Sequence, residues 1–424
     1  MRLIDEQEAL ALDRDSPLSR FRSEFCLPHD AAGRDLLYFC GNSLGLMPRR
    51  ARAIVTEELD DWAEHAVEGH FRALRPWFSY HEQFREAAAQ LVGALPSEVV
   101  MMNSLTVNLH LMLATFFRPQ GERRAILMEE GAFPSDLYAV QSQLQWHGLD
   151  PERDLIVARP RDGEDLLRRE DIERLLERDG PRIALMLFGG VHYYTGQWFE
   201  MKTLTQAAQR QGIVCGWDLA HAAGNVPLSL HDWNVDWAAW CSYKYLNAGP
   251  GAVAGCFVHE RHGNNTTLPR FGGWWGNDPA TRFEMRAQRR FIPRQGADGW
   301  QLSNPPILSL APLLASLQLF QAAGIDALRE KSLQLTGALE ALIEALPNRP
   351  FGVITPRDPA QRGAQLSLRI DGDAAAFQHR LQARGVIADR RDPDVIRLAP
   401  APLYNSFHEV WRLAAILAEL GASA

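Results

Sequence analysis

Lysine is almost missing from this chain. Of its 44 basic residues only Lys202, Lys244 and Lys331 are lysines. Any chemistry that needs an amine therefore has three candidates. Cysteine is scarce as well. Cys26, Cys40, Cys215, Cys241 and Cys256 are odd in number and never form a C-x-x-C pair. That argues against a disulfide framework or a zinc ribbon, leaves no metal site to predict, and fits a reducing cytoplasm. There is no excess of positive charge. A formal net charge of −8 suits neither a nucleic-acid coat nor a protein bound to an anionic membrane. No apolar run approaches the ~20 residues that span a bilayer. The opening stretch MRLIDEQEALALDRDSP lacks the apolar centre of a signal peptide.

What is present reads as an ordinary folded chain, with 46% hydrophobic and 23% charged residues, so disorder is excluded. Its 424 residues exceed what one core serves, and two units are expected. Short apolar runs, AILME (125–129), IALMLF (183–188), IVCGW (213–217), AAWC (238–241) and AVAGCFV (252–258), alternate with helical patterns such as 164–180 and 203–212. That alternation predicts βαβ units and a mostly parallel sheet. A long helical pattern over 308–346 breaks near Gly324. After it, strands (QLSLRI, VIRLAP) and helices (AAAFQHRLQARG, SFHEVWRLAAILAEL) alternate as in a smaller α+β domain. The expected division is an N-terminal arm over 1–50 packed on the small domain, a large domain over 51–307 and a small one over 308–424.

The stretch 215–251 carries the chemistry. An apolar strand ends in Asp218, and a second apolar segment leads into Ser242-Tyr243-Lys244. Ligands of open α/β sheets bind outside the carboxyl ends of the strands, where both residues fall. An amine that forms a Schiff base and a carboxylate that keeps a pyridine nitrogen protonated are the pair that pyridoxal 5′-phosphate requires. The plainer alternative is a helix-capping aspartate and a solvated lysine. Lys244, however, sits in an aromatic, glycine-flanked segment. Lys202 opens a polar helix, and Lys331 lies in ALREKSLQ, which reads as a charged helix surface. Asn103 and Ser104 are N-cap types before an apolar helix, so Leu105 and Thr106 present free N–H groups and a hydroxyl to an anion. FPSD (133–136) reads as a proline turn, or as an aromatic platform for the ring with Asp136 nearby. His221 either opens a helix or contacts the cofactor.

The ordered set CGNSLGLMP (40–48), MNSLTVNLHLML (102–113), FPSD (133–136), VHYYTGQ (191–197), DLAHAAGNVPL (218–228), WCSYKYLNAGPG (240–251), GGWWG (272–276), LSNPPILSL (302–310) and RLAPAPLYNSFHEV (397–410) closely resembles the kynureninase family. The resemblance implies fold type I of the pyridoxal-phosphate enzymes, with a mostly parallel seven-stranded sheet in the large domain and a smaller α+β C-terminal domain. It implies a homodimer. It makes Lys244 the Schiff-base lysine, Asp218 the pyridinium partner with His221 beside it, and Tyr243 a proton donor near the phosphate. Leu105, Thr106, Phe133, Pro134, Ser135 and Asp136 become ring and phosphate contacts, and Trp274 and Asn304 further cofactor contacts, Trp274 across a dimer interface. Arg397 matches the clamp for the substrate α-carboxylate, a task suited to a bidentate guanidinium, and Ser43 a substrate contact. Gly189 departs from the pattern, since some members carry a serine there that touches the phosphate; a backbone N–H is the expected substitute.

The implied reaction is hydrolysis of the Cβ–Cγ bond of L-kynurenine or 3-hydroxy-L-kynurenine to alanine and anthranilate or 3-hydroxyanthranilate. The substrate ring is expected near GHFRALRPWF (69–78). His70 and Asn304 match positions that line the ring pocket in members preferring the hydroxylated substrate. An aminotransferase of the same fold, a cysteine desulfurase and a non-catalytic regulator are the rivals. The desulfurase needs a nucleophilic cysteine on a mobile loop beyond the lysine, and the last cysteine, Cys256, lies in an apolar run.

Overall fold

The computed structural model describes residues 3–284, 286, 290–347 and 349–422. Its strands are β1 (Leu37–Tyr38), β2 (Val99–Met101), β3 (Ala125–Glu129), β4 (Leu155–Ala158), β5 (Ile183–Gly189), β6 (Val214–Asp218), β7 (Trp237–Trp240), β8 (Gly255–Val258), β9 (Phe351–Val353), β10 (Leu366–Ile370), β11 (Val386–Ile387), β12 (Asp389–Arg391) and β13 (Val395–Leu398). The helices are α1 (Glu6–Asp15), α2 (Arg49–His65), α3 (Gly69–Arg72), α4 (Arg85–Val92), α5 (Leu105–Phe116), α6 (Pro134–Trp146), α7 (Pro151–Asp154), α8 (Arg169–Asp179), α9 (Met201–Arg210), α10 (Glu260–Gly263), α11 (Ile307–Ala323), α12 (Ile325–Glu344), α13 (Ala374–Ala383) and α14 (Phe407–Ala422).

Seven strands form the main sheet in the order β2-β8-β7-β6-β5-β3-β4. Only β8 runs against its neighbours; β3 to β7 are mutually parallel. Both faces are covered, so the central strands are buried along their length, as a parallel sheet requires. Side chains alternate between two cores: Met186 and Phe188 of β5 join one, Leu185 and Leu187 the other. Glycine makes room for indole where strands meet. Gly216 pairs with Trp237, and Gly255 with Trp240. A Cβ at Gly216 would clash with the buried Trp237 ring. Gly216→Ala is therefore expected to destabilise the fold by about 1–3 kcal/mol, seen as a lowered thermal midpoint; an unchanged midpoint would show that the indole shifts freely.

The second sheet, β12-β13-β10-β9, is antiparallel. It packs with α12, α13 and α14 around Leu335, Leu368, Phe377 and Leu413. Helix α11, which follows the expected division at 307/308, packs with the large unit. Leu310, Leu313 and Leu317 of α11 join the core of the main sheet, and Ala311 and Ala315 meet Ala51 and Ile54 of α2. The change of core comes within α12, whose Leu328 belongs to the first and Leu335 to the second. The N-terminal residues also straddle both. Phe21 and Phe25 enter the first core, while Ala9, Leu37 and Phe39 enter the second.

Lys331 departs from expectation too. It is buried, its amine donates to the carbonyl of Pro402 at 2.8 Å, and burial lowers its pKa to about 8. The reason is helical period: Leu328, Lys331 and Leu335 form one inward stripe of α12. Lys202, by contrast, is exposed in the first turn of α9. Among the described residues no single helix is long and apolar enough to cross a membrane.

Candidate active site

The carboxyl ends of three adjacent parallel strands deliver Glu129 from β3, Gly189 from β5 and Asp218 from β6. The loop after β7 brings Tyr243 and Lys244 to the same cavity of about 150 Å³. Two helix N-termini complete it. Ser104 caps α5 without any side-chain hydrogen bond, and Phe133 precedes Pro134, the first residue of α6. FPSD is thus a helix start rather than a plain turn, as proline at a first helical position allows. The hydroxyls of Thr106 and Ser135 meet at 2.8 Å across the gap between the two helices. Both helices point unpaired N–H groups and the positive ends of their dipoles here, which favours a phosphate dianion.

The opposite end collects negative charge. Asp218 is buried and accepts from the Ala220 N–H at 2.6 Å. Asp136, on the first turn of α6, has an unpartnered Oδ1. Burial first, and then the Asp218 carboxylate beside it, hold the Asp136 carboxyl well above its ordinary pKa. Glu129 is raised to about 7 by burial, against the pull of a 2.9 Å hydrogen bond from the Gly189 N–H, and its Oε2 has no partner. Three buried carboxyl groups at one place make this end of the cavity the one suited to a cationic or proton-bearing group.

Lys244 is nearly buried, with Nζ 3.0 Å from His221 Nε2 and 5.7 Å from the Phe133 ring centroid. An ammonium only donates, so Nε2 accepts and the proton of His221 sits on Nδ1, which has no partner. Burial and then the Lys244 charge push the His221 pKa well down, so the ring stays neutral. Burial, with Cys241 beside it, raises the Tyr243 phenol, which keeps its proton at neutral pH.

Of the residues singled out in the sequence, Leu105, Thr106, Phe133, Ser135, Asp136, Asp218, His221, Tyr243 and Lys244 line this one cavity. Arg397 does not. It is fully buried on β13, with its guanidinium carbon 5.9 Å from the centroid of Tyr193, a lining residue. His70 packs edge-on against Trp77 at 5.6 Å, Trp274 is 41% exposed, and Asn304 is exposed. None of these three, nor Ser43, reaches the cavity within one copy of the chain. Gly189 lies at the carboxylate end, in register with Asp218, and its N–H is spent on Glu129. The expected donation to a phosphate is corrected accordingly. Sequence reasoning missed Glu129 and Tyr193. Glu129 had the same signal as Asp218, an acid closing an apolar strand.

The chain is 54% identical to the kynureninase of Xanthomonas campestris pv. campestris (strain B100) over 414 residues, 97% of this chain and 96% of that one. The chain belongs to the kynureninase family. The kynureninase of Koribacter versatilis (strain Ellin345) is 53% identical over 96% of each chain, and a profile described as Kynureninase C-terminal domain matches residues 328–417. Among solved structures, a cysteine desulfurase from Thermococcus onnurineus NA1 superposes with a TM-score of 0.76 at 17% identity, covering 100% of this chain and 99% of that one. The K223A mutant of C-DES, with glycine covalently linked to its PLP cofactor, superposes with a TM-score of 0.78 at 20% identity, over 91% and 96%. These likenesses establish the fold, type I of the pyridoxal-phosphate enzymes. They do not make the chain a desulfurase: Cys256 is buried in β8 with its thiol pKa pushed up by that burial. As a member of this family the chain is a hydrolase of carbon–carbon bonds whose cofactor is pyridoxal 5′-phosphate. The cavity fits that group. Paired helix N-termini suit its phosphate, the orphaned Asp136 Oδ1 beside Asp218 suits a protonated ring nitrogen, and Lys244 suits its aldehyde.

Proposed function

We propose that this enzyme hydrolyses the Cβ–Cγ bond of 3-hydroxy-L-kynurenine in preference to L-kynurenine, with Lys244, Asp218, Tyr243 and Arg397 as its working residues. The observation that carries the assignment of roles is the single cavity shared by Lys244, Asp218 and two helix N-termini. When bound, the cofactor supplies an electron-poor ring that accepts the electron pair of a breaking bond. Lys244 would hold the cofactor through its aldehyde, and its amine, with neutral His221 as hydrogen-bond acceptor, would be the group that takes the Cα proton. Asp218 keeps the ring nitrogen protonated. Leu105, Thr106 and Ser135 hold the phosphate, with Pro134 setting the start of α6. Arg397 binds the substrate α-carboxylate, and Tyr243 returns a proton from its phenol. One water is consumed, its oxygen ending in the aromatic acid.

The substrate ring meets His70 and Asn304, with Ser43 as a further contact, in a homodimer whose second copy also brings Trp274 to the cofactor. Support comes from the surface around those residues. Phe71, Phe78 and Phe283 stack at 5.9 and 5.7 Å, and Trp274 meets Phe283 at 5.8 Å. Phe71, Trp274 and Phe283 stay largely exposed in one copy, an apolar patch that a second copy would bury. The reaction suits tryptophan breakdown or nicotinamide-nucleotide synthesis, in a reducing cytoplasm where the free cysteines persist.

The test is kcat/KM for both substrates side by side. A polar pair left unmatched by a substrate without the hydroxyl predicts a preference of about tenfold or more for the hydroxylated one. His70→Phe is expected to erase it. Preference of the native enzyme for L-kynurenine would remove the His70/Asn304 pocket and leave the reaction class standing. No turnover of either substrate by cofactor-loaded protein would favour an aminotransferase.

A further inference from the structure

Strands β12 and β13 run antiparallel and pair Asp389 with Arg397 in register, so the two side chains share a face. The Asp389 carboxylate takes one edge of the guanidinium. Nε donates to Oδ1 at 2.7 Å, and one terminal nitrogen donates to Oδ2. The other terminal nitrogen donates to the backbone carbonyl of Tyr193 at 2.8 Å. A guanidinium has five N–H donors in a rigid fork, and these contacts use three. The two that remain lie one on each terminal nitrogen, and a second carboxylate accepts both where the Tyr193 carbonyl takes the hydrogen that points back toward Cδ. Had Asp389 occupied the place of a substrate carboxylate, it would bridge the two terminal nitrogens. It grips the Nε edge instead.

Charge points the same way. Arg391 also donates to Asp389, at 2.9 Å. Two guanidinium groups on one carboxylate leave a net positive charge for an incoming anion to neutralise. Arg397 is fully buried, so loss of the Asp389 charge leaves a buried guanidinium without its carboxylate partner.

We propose that Asp389 is the positioning residue of substrate recognition, locking the Nε edge of Arg397 so that its terminal edge meets the substrate α-carboxylate. The proposal rests on the reading of Arg397 as the carboxylate clamp. The test compares Asp389→Asn, Asp389→Glu, Arg397→Ala and the Asp389→Asn/Arg397→Ala double variant as holoenzymes. The probes are L-kynurenine as substrate and kynuramine, its analogue without the α-carboxylate, as inhibitor. Asp389→Asn is expected to raise KM for L-kynurenine about tenfold or more with kcat within about threefold. It should leave the inhibition constant of kynuramine unchanged and add nothing in the Arg397→Ala background. Asp389→Glu, which keeps the charge, should recover part of the loss. It is read against the same expectations if the asparagine variant does not fold. If Arg397→Ala leaves KM unchanged, the clamp reading falls and Asp389 falls with it. If Arg397→Ala raises KM while Asp389→Asn does not, or if the two effects add, or if kynuramine binding weakens equally, only the positioning role is overturned.

Discussion

Lys244→Ala is expected to lower kcat by about 10⁴-fold or more, the upper end of what a positioned proton-transfer group contributes. The residue has two tasks, holding the aldehyde and moving the Cα proton, and alanine performs neither. No other amine can stand in. Lys202 is exposed on α9, and Lys331, though its pKa is lowered to about 8, is tied to Pro402 and does not line the cavity. Lys244→Arg is expected to be equally inactive, because a guanidinium stays protonated at any working pH and takes up no proton. Borohydride should fix the cofactor to the native chain and to neither variant. An alanine variant retaining a hundredth of the native rate would sink the assignment of both tasks to Lys244. Loss of thermal stability without loss of rate would reduce Lys244 to a packing residue.

The parts of this fold that could be read from sequence are those with long periods. The run 183–188 became β5 with one residue added, and the helical pattern over 308–346 broke at Gly324, whose φ of 77° suits glycine. Strands β2 and β4 were not expected. They are three and four residues long and lie at the two edges of the sheet, too short to show alternation. Lys331 was misread because its charged neighbours masked an inward stripe. At the site, Lys244 and Asp218 were legible because strand ends are readable and lysine is rare. His70, Trp274 and Asn304 were assigned to the site only through family resemblance. One copy of the chain gives them no contact with the cavity, so no local pattern supports or excludes that assignment.

Asp218→Asn is expected to cost about 10²–10³-fold in kcat, the range for losing one preorganised electrostatic partner in a dry site. The cost depends on Asp136. In the native chain burial and the neighbouring Asp218 carboxylate raise the Asp136 carboxyl well above its ordinary pKa, so the two titrate as a pair. Removing the Asp218 charge removes part of what raises the Asp136 pKa, and that pKa moves back down. Asp136 then becomes a second, less well placed counter-ion. Three results follow. Asp136→Asn alone is mild, because Asp218 keeps its charge. Asp218→Asn is severe but incomplete. The double variant loses about a further tenfold that neither single variant predicts, since the two carboxyls act as one unit. The pH dependence of the bound cofactor's absorbance separates this from simple misfolding. In the double variant the ring nitrogen should release its proton at lower pH than in either single variant. If Asp136→Asn is instead the severe change and Asp218→Asn the mild one, the counter-ion is Asp136 on α6, and the strand end only keeps that helix in place.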